Sequence, residues 1–589
     1  MIAFLLTIRV RSGAHDGTER ETLKRWLDRY PMLSDKTVHS WASSADGSVT
    51  CHWGGHSADH LGGVRYSATE REKFALFGGR PVLWRNGEAD GRTSIDPKTY
   101  LREPTEWSQD LDGRHVVVRV DNRTVHVQTD AAGLLPVYIS RNAEGIQISN
   151  MAALVTPVGA QTRPRALAGL LAGGWSITGE PLREGVERVV PGTATSISRD
   201  GVVTTAHLRT DYAELLAAVP DYAEAERLMT SLARAFADWP GRETQLALTG
   251  GRDSRVIAAV LRKADITPAV VTNAFAGQVG YPETGDVQAA RHLSMMLGWE
   301  HSATKTRETA AVYSRTHSVL ELLQLTSAQT TSLTDIMDVD LEPVNSLPIL
   351  FDGVAGEIGR GAWTAYLGGE CPTGQTVDEM AASLFEKITP GSPPALLNGD
   401  GKALIYDWLR EFSREQTDRG VALADIPEVL HLERQASWHG PNLSNRDHRE
   451  DTASLYLSPR IWPHMIGRGG GGHVDGKFNR TLLQSLGPDL AKIPYETADA
   501  SWLQDNSVGA TMNEERRRNT HMIPVEPIGA ILDVARTAAH SHSDHPAWDV
   551  LDRKRVVELL ERDPEQIRGV ERYQLWSLAT ALAMPEGLR

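Results

Sequence analysis

Residues 245–254 read QLALTGGRDS, an apolar run followed by Thr249, Gly250, Gly251, Arg252, Asp253 and Ser254 and then a helix-compatible stretch. Adjacent glycines let the backbone approach an anion closely, and amides at a following helix N-terminus bind phosphate. Asp253 stands where a carboxylate can hold a magnesium ion against that phosphate. The bland alternative is a tight strand-to-helix turn, with Asp253 favoured only by the helix dipole. A second glycine-rich segment, residues 350–357 (LFDGVAGE), offers Gly353 and a second carboxylate, Glu357.

Such loops act only if a sheet delivers them. From about Pro220 the pattern alternates between helix and strand. Tyr222 to Asp238 reads as an amphipathic helix, Gln245 to Leu248 as a buried strand, and Ser254 to Lys263 as a helix carrying Val256, Ile257, Val260 and Leu261 on one stripe. Ala269 to Phe275, Gly285 to Leu297 and Pro348 to Phe351 follow as strand, helix and strand. This alternation predicts a parallel sheet with ligand at the strand C-termini. Beyond about Thr373 the chain reads as mainly helical, with a flexible loop at Gly469 to Gly472.

The first 210 or so residues read differently, as short β-branched runs punctuated by turns. His115 to Val120 and Thr124 to Gln128 form a hairpin pattern, and Val137 to Ser140, Ile146 to Ser149 and Thr193 to Ser198 are further strands. Arg165 to Ala172 has helical spacing.

The chain has 589 residues, room for two or three domains, and its net charge of −15 argues against wrapping a nucleic-acid backbone. Two cysteines, Cys51 and Cys371, make no disulfide framework and no zinc pair. The opening MIAFLLTIRVRSG lacks a basic segment before its apolar stretch and predicts a buried first strand rather than a signal peptide. No apolar run approaches the roughly 20 residues that span a bilayer. The expectation is a soluble, cytoplasmic protein with neither a membrane nor a nucleic-acid partner.

Thr249 to Ser254 resembles the SGGxDS loop of the ATP pyrophosphatases, which cleave ATP between the α and β phosphates. Residues 283–301, with Glu283, Thr284, Gly285, Asp286, His292, Gly298 and His301, look like the next helix of the same sheet in its asparagine synthetase branch. Gly353 to Glu357 is similar to that branch's GxGSDE segment. In the first half, Leu111 to Gly113, Asp130 and Gly133 to Tyr138 resemble the glutaminase domain of glutamine-dependent asparagine synthetase, and Pro191-Gly192 the segment leaving it. The resemblance spans residues 1 to about 365 in order and is weaker through the helical tail. It points to the asparagine synthetase-like family, which also contains β-lactam synthetases and lasso-peptide macrolactam synthetases.

The resemblance implies an α/β and α+β protein of two domains. Residues 1–210 would be an Ntn-hydrolase-like αββα sandwich, and residues 211–589 a parallel-sheet ATP-pyrophosphatase domain (adenine nucleotide α-hydrolase-like) with a helical tail. It implies ATP and Mg2+ as cofactors. Leu248, Thr249, Gly250, Gly251, Asp253, Ser254, Asn273 and Gly353 would bind ATP and pyrophosphate. Asp253 and Glu357 would hold the magnesium.

Departures from the family pattern shape the expected activity. A glutaminase of this type uses an N-terminal cysteine with its own α-amine as base. The residue after Met1 is Ile2, so this half is expected to be catalytically inactive. Val354 stands where the family commonly has a polar residue, glutamate in asparagine synthetase itself. The late family lysine has no clear counterpart: Lys492 and Lys477 are the nearest, and His439 or His464 are alternative bases. The run His540 to His545 reads as a polar exposed loop in preference to a metal site, and Ser437 to Asp447 as a wall of the acceptor pocket or an interhelical turn.

The expected activity is adenylation of a substrate carboxylate followed by attack of an amine, releasing AMP and pyrophosphate. The substrate would be a small molecule or peptide carrying both groups. For a lasso macrolactam synthetase the partners would be a precursor peptide and its leader-processing protein. Competing readings are a β-lactam synthetase-type ligase, an asparagine synthetase-like enzyme using free ammonia, and a non-catalytic scaffold.

Overall fold

In the opening strand β1 (Ile2–Arg9), Phe4, Leu6 and Ile8 point to one face and Ala3 and Leu5 to the other, and both faces are buried. A strand apolar on both sides belongs inside a layered structure. The computed structural model describes residues 2–9, 17–29, 36–43, 48–55, 65–69, 73–91, 97–102, 109–121, 124–143, 145–173, 176–198, 200–201, 203–208, 211–239, 242–274, 285–305, 348–360, 376–387, 396–446, 451–468, 476–493, 525–541, 545–567 and 570–582.

With strands numbered in chain order, β1 pairs antiparallel with β3 (Val49–Gly55) and β12 (Gly145–Ser149). β2 (His39–Ala42), β11 (Tyr138–Asn142) and β13 (Val186–Arg188) complete a six-stranded sheet, β13-β11-β12-β1-β3-β2. A second six-stranded sheet, β15-β14-β10-β9-β5-β4, comprises β4 (Arg65–Thr69), β5 (Lys73–Gly79), β9 (His115–Asp121), β10 (Thr124–Thr129), β14 (Thr193–Ser198) and β15 (Val203–His207). Phe4, Leu6 and Ile8 meet Phe74, Leu76, Val118 and Val127 between the two sheets. The helix Thr18–Arg29 covers the first sheet through Leu23, Trp26 and Leu27, and the short helix Pro97–Arg102 covers the second through Tyr100 and Leu101. The layering is helix, sheet, sheet, helix.

A small sheet of β6 (Val82–Arg85), β7 (Glu88–Asp90) and β8 (Leu111–Asp112) faces the rest of the chain. There Ala89 N donates to Ser231 Oγ at 2.8 Å, on the helix Tyr222–Ala237. That helix starts where the Asp221 side chain accepts from Glu224 N, an N-cap that satisfies one of the free first-turn amides.

The second half is organised by a parallel sheet, β18-β17-β16-β19-β20: β16 (Thr244–Ala247), β17 (Ala269–Ala274), β18 (His301–Lys305), β19 (Ile349–Phe351) and β20 (Asp451–Ala453). All its pairings are parallel. Helices Arg252–Lys263 and Gly285–Leu297 make the crossovers at the predicted places. The helical reading of the tail holds for most of its described residues. β20, unforeseen, is the exception. The helix Ile426–Arg446 runs through Ser437 to Arg446, which overturns the interhelical turn there. Gly469 to Gly472, Glu283 and Phe275 lie outside the described residues.

Apolar packing crosses the chain position near residue 210. Ala166, Leu167, Leu170 and Leu171 of the helix Pro164–Gly173 share one apolar cluster with Leu409 and Leu578. The helix packs on the helices Gly399–Asp418 and Val570–Leu582. Among the described residues, no helix is long and apolar enough to cross a membrane.

Candidate functional site

The chain runs outward from β16 to β17 and β18 on one side, then returns to place β19 and β20 on the other. β16 and β19 thus flank a switch point, and open α/β sheets place their ligand crevice at the strand C-termini of such a point. Thr249 to Ser254 leaves β16 on one side of this crevice, and Asp352 to Glu357 leaves β19 on the other.

The first loop is held from inside. Thr249 N donates to Ser254 Oγ at 3.1 Å, Gly251 N donates to Thr249 Oγ1 at 3.1 Å, and the two hydroxyls lie 3.0 Å apart. Ser254 thus shapes the loop in this structure. Leu248 O accepts from Thr272 Oγ1 at 2.7 Å, and that hydroxyl lies 3.0 Å from His301 Nε2. Gly251, the N-cap of the helix Arg252–Lys263, provides no side-chain cap. The N-terminal, positive end of the helix dipole lies at the C-terminal end of β16, the arrangement that suits an anion.

Sequence reasoning missed Arg255. It is fully buried, and its guanidinium donates to Gly250 O at 3.1 Å, Leu490 O at 3.1 Å and Ile493 O at 2.6 Å. One side chain thereby ties the glycine pair to the turn that carries Lys492. An arginine directly before the apolar run Val256 to Leu261 was the available signal.

The second loop packs against the first with little room. A Cβ at Gly353 would lie 2.8 Å from Ser254 N, and one at Gly356 would lie 2.4 Å from Asp253 Cβ. Glycine is required at both positions by close approach. Between them Ala355 adopts φ +67, a left-handed conformation that costs an L-residue roughly 1–2 kcal/mol. This sharp turn delivers the 3-10 turn Gly356–Arg360 and with it Glu357.

Two histidines from one helix converge on Glu357. His439 Nε2 lies 3.0 Å from Oε1, and His431 Nε2 lies 3.4 Å from the same oxygen. Burial pushes the Glu357 carboxyl up, but the two hydrogen-bonded imidazoles outweigh it and hold the group well below the usual carboxylate range. His431 and His439 are separated by eight positions, a little over two turns, so a shared helix face was the signal for the pair. Asp253 is gripped by Asn479, whose Nδ2 donates to Oδ1 at 2.6 Å, and its carbonyl accepts from Tyr456 Oη at 3.1 Å.

These donors fit magnesium. Both carboxylates supply hard oxygens on adjoining loops, and both histidine contacts to Glu357 fall on Oε1. Among the described residues there is no group of three or more His, Cys, Asp or Glu that could cage a metal. Magnesium needs no such cage, since it takes one or two carboxylates and completes its shell with water and phosphate oxygens.

The remaining predicted residues fall as follows. Asn273 is near the C-terminal end of β17, in register with Thr304. Lys492 is exposed at the end of the turn Leu490–Lys492, and it is the backbone of that turn that is tied to Gly250. Lys477 opens the helix Lys477–Leu486 with its Nζ 6.0 Å from the Tyr222 ring centre. His464 accepts from Asp221 N at 3.1 Å, at the start of another helix. Val354 packs against the main core, as its side chain requires. His540 and Ser541 end the helix Val525–Ser541, which corrects the loop reading there, with His540 Nδ1 2.7 Å from Arg536 O; His545 Nδ1 accepts from Ala547 N, and residues 542–544 lie outside the described residues.

No protein-family model and no curated protein matches the chain. Among solved structures it is similar to glutamine phosphoribosylpyrophosphate amidotransferase from B. subtilis, at 9% identity and TM-score 0.23, over 61% of this chain and 77% of that one. NMN synthetase from Francisella tularensis matches at 15% identity and TM-score 0.17, over 36% and 86% of the two chains. The U34-tRNA thiolase NcsA from Methanococcus maripaludis matches at 12% identity and TM-score 0.16, over 36% and 80%. Likeness at these scores carries no argument, and the fold rests on the sheet order and core packing described above.

Proposed function

We propose that this protein is an ATP-dependent amide-bond synthetase that activates a substrate carboxylate as its adenylate and joins it to an amine. The observation that carries this reading is the pairing of two loops across one crevice. A glycine pair at a helix N-terminus packs against the loop of Gly353 and Gly356, which leads into Glu357, a carboxylate held well below its usual range by two histidines.

In this reading the amides around Gly250 and Gly251 and the first turn of the helix bind the β and γ phosphates, with Leu248 and Asn273 beside the nucleoside. Ser254 and Thr249 keep the loop in shape for that ligand. Asp253 and Glu357 would hold magnesium, which would offset charge on the departing pyrophosphate. The carboxylate oxygen bonds to the α-phosphorus as the α–β bridging bond breaks. The amine nitrogen then bonds to the carbonyl carbon, AMP departs, and the ammonium proton passes to a base. Lys492 stays in this reading as the lysine whose turn is tied to Gly250 through Arg255.

Glutamine-derived ammonia is not the amine in this account. Cys51 is buried between the sheets, where desolvation pushes its thiol up, which makes it a poor nucleophile. Cys371 lies outside the described residues. Val354, packed on the core, speaks against an asparagine synthetase using free ammonia. What is left is a substrate carrying its own amine, a peptide closed as a lasso-type macrolactam or a small molecule. Incubation with Mg·ATP and such substrates tests this: Asp253→Ala should abolish amide product, and product retained in that variant overturns the mechanism.

A further inference from the structure

We propose that the amino-terminal half is a brace for the phosphate site, with Arg80 and Asp112 as positioning residues. This rests on the reading of the crevice as an Mg·ATP site. The segment Asp451–Arg460 touches the first half on one side and both phosphate-site loops on the other.

Towards the first half, Asp451 forms an ion pair with Arg80, whose side chain is only 2% exposed. Asp112 Oδ2 accepts from Ser458 Oγ and from Trp84 Nε1, the latter at 3.0 Å, while Oδ1 accepts from Gly113 N at 2.6 Å. Asp110 Oδ1 accepts from Arg460 Nη2 at 2.8 Å, and that guanidinium lies 5.2 Å from the Trp84 ring centre. The support beneath is stiff. A Cβ at Gly113 would lie 2.5 Å from Arg80 O, and the glycine has φ +76.

Towards the site, Asp451, Thr452 and Ala453 pair in register with Ile349, Leu350 and Phe351, the strand that delivers Gly353 to Glu357. Ser454 Oγ donates to Val354 O at 2.7 Å, and Tyr456 Oη donates to Asp253 O at 3.1 Å. One short segment therefore carries the backbones of both loops and is itself pinned by buried charges of the other half. Leaving one partner of a buried charge pair uncompensated is strongly unfavourable, so the pinned geometry is specific.

The test measures Mg·ATP affinity by titration calorimetry, and thermal stability, on the full chain. Asp112→Asn puts an amide N–H against neighbouring donors. Ser458→Ala removes the same bond from the other side and keeps the test decisive if the first variant does not fold. Val118→Ala, in the core between the two sheets and away from the brace, controls for general destabilisation. Expected is a loss of Mg·ATP affinity of about tenfold or more in Asp112→Asn and Ser458→Ala, against wild-type affinity in Val118→Ala. Folded brace variants that bind Mg·ATP as the wild type does overturn the brace, as does an equal loss in Val118→Ala. Wild-type protein that binds no Mg·ATP overturns the functional reading instead, and the brace with it.

Discussion

Asn479 Nδ2 donates to Asp253 Oδ1 at 2.6 Å, and the same amide lies 3.4 Å from Gly356 O. Asn479 is fully buried on the helix Lys477–Leu486, and it joins the carboxylate of one loop to the backbone of the other. A side-chain donor at this point fixes both where the Asp253 oxygen sits and how far the second loop stands off.

Replacing Asn479 by Leu keeps the volume and removes the donor. The change should cost about 1–3 kcal/mol of stability, because a buried acceptor loses its partner. Mg·ATP affinity should fall as well. Urea unfolding and calorimetry read the two effects separately, and unchanged nucleotide affinity would show that Asn479 only packs.

His439 orients Glu357 from 3.0 Å. Partners of metal-binding groups typically contribute 10–100-fold to metal affinity or activity. His439→Ala should raise the magnesium concentration giving half-maximal ATP binding by about that factor while leaving the fold intact by circular dichroism.

Ala355 has φ +67 in a buried turn. Ala355→Gly relieves the left-handed strain but frees the unfolded chain, so the net stabilisation should be at most about 1 kcal/mol. Thermal unfolding measures it. A lower melting temperature would contradict the strain argument.

The Arg262 guanidinium contacts Asp489 at 2.8 and 2.9 Å and holds its carboxyl at about 2, below the ordinary 3.8. A depressed carboxyl contributes stability above its unfolded value and loses it as pH falls through the folded one. Both side chains are about a third or more exposed, so solvent screening limits the pair to under about 1 kcal/mol. The destabilisation in Asp489→Asn should therefore be small at neutral pH and shrink below about pH 4. Urea unfolding across that range tests the sign.

The parts of this molecule with a clear period were readable in advance. β9 and β10 are β-branched runs on either side of a turn, the helix Gly285–Leu297 keeps its apolar stripe, and the glycine pair announced a strand-to-helix turn. β20 was invisible, because Asp451-Thr452-Ala453 has no pattern and is a strand only through its pairing with β19. Asn479 and Tyr456 gave no signal either. Each is a single polar side chain brought to Asp253 from more than 200 positions away, and only the fold supplies that proximity. The contact of the helix Pro164–Gly173 with the second half was equally hidden, since its helical spacing is the same whichever half it joins.

The central claim is ATP cleavage at the α–β bond in the crevice between Thr249–Ser254 and Gly353–Glu357. Phosphorus NMR of the protein with Mg·ATP and a panel of amino-acid and peptide carboxylates reads the products directly. The account predicts AMP and pyrophosphate, both lost in Asp253→Ala. ADP and inorganic phosphate, or AMP and pyrophosphate undiminished in that variant, would contradict it.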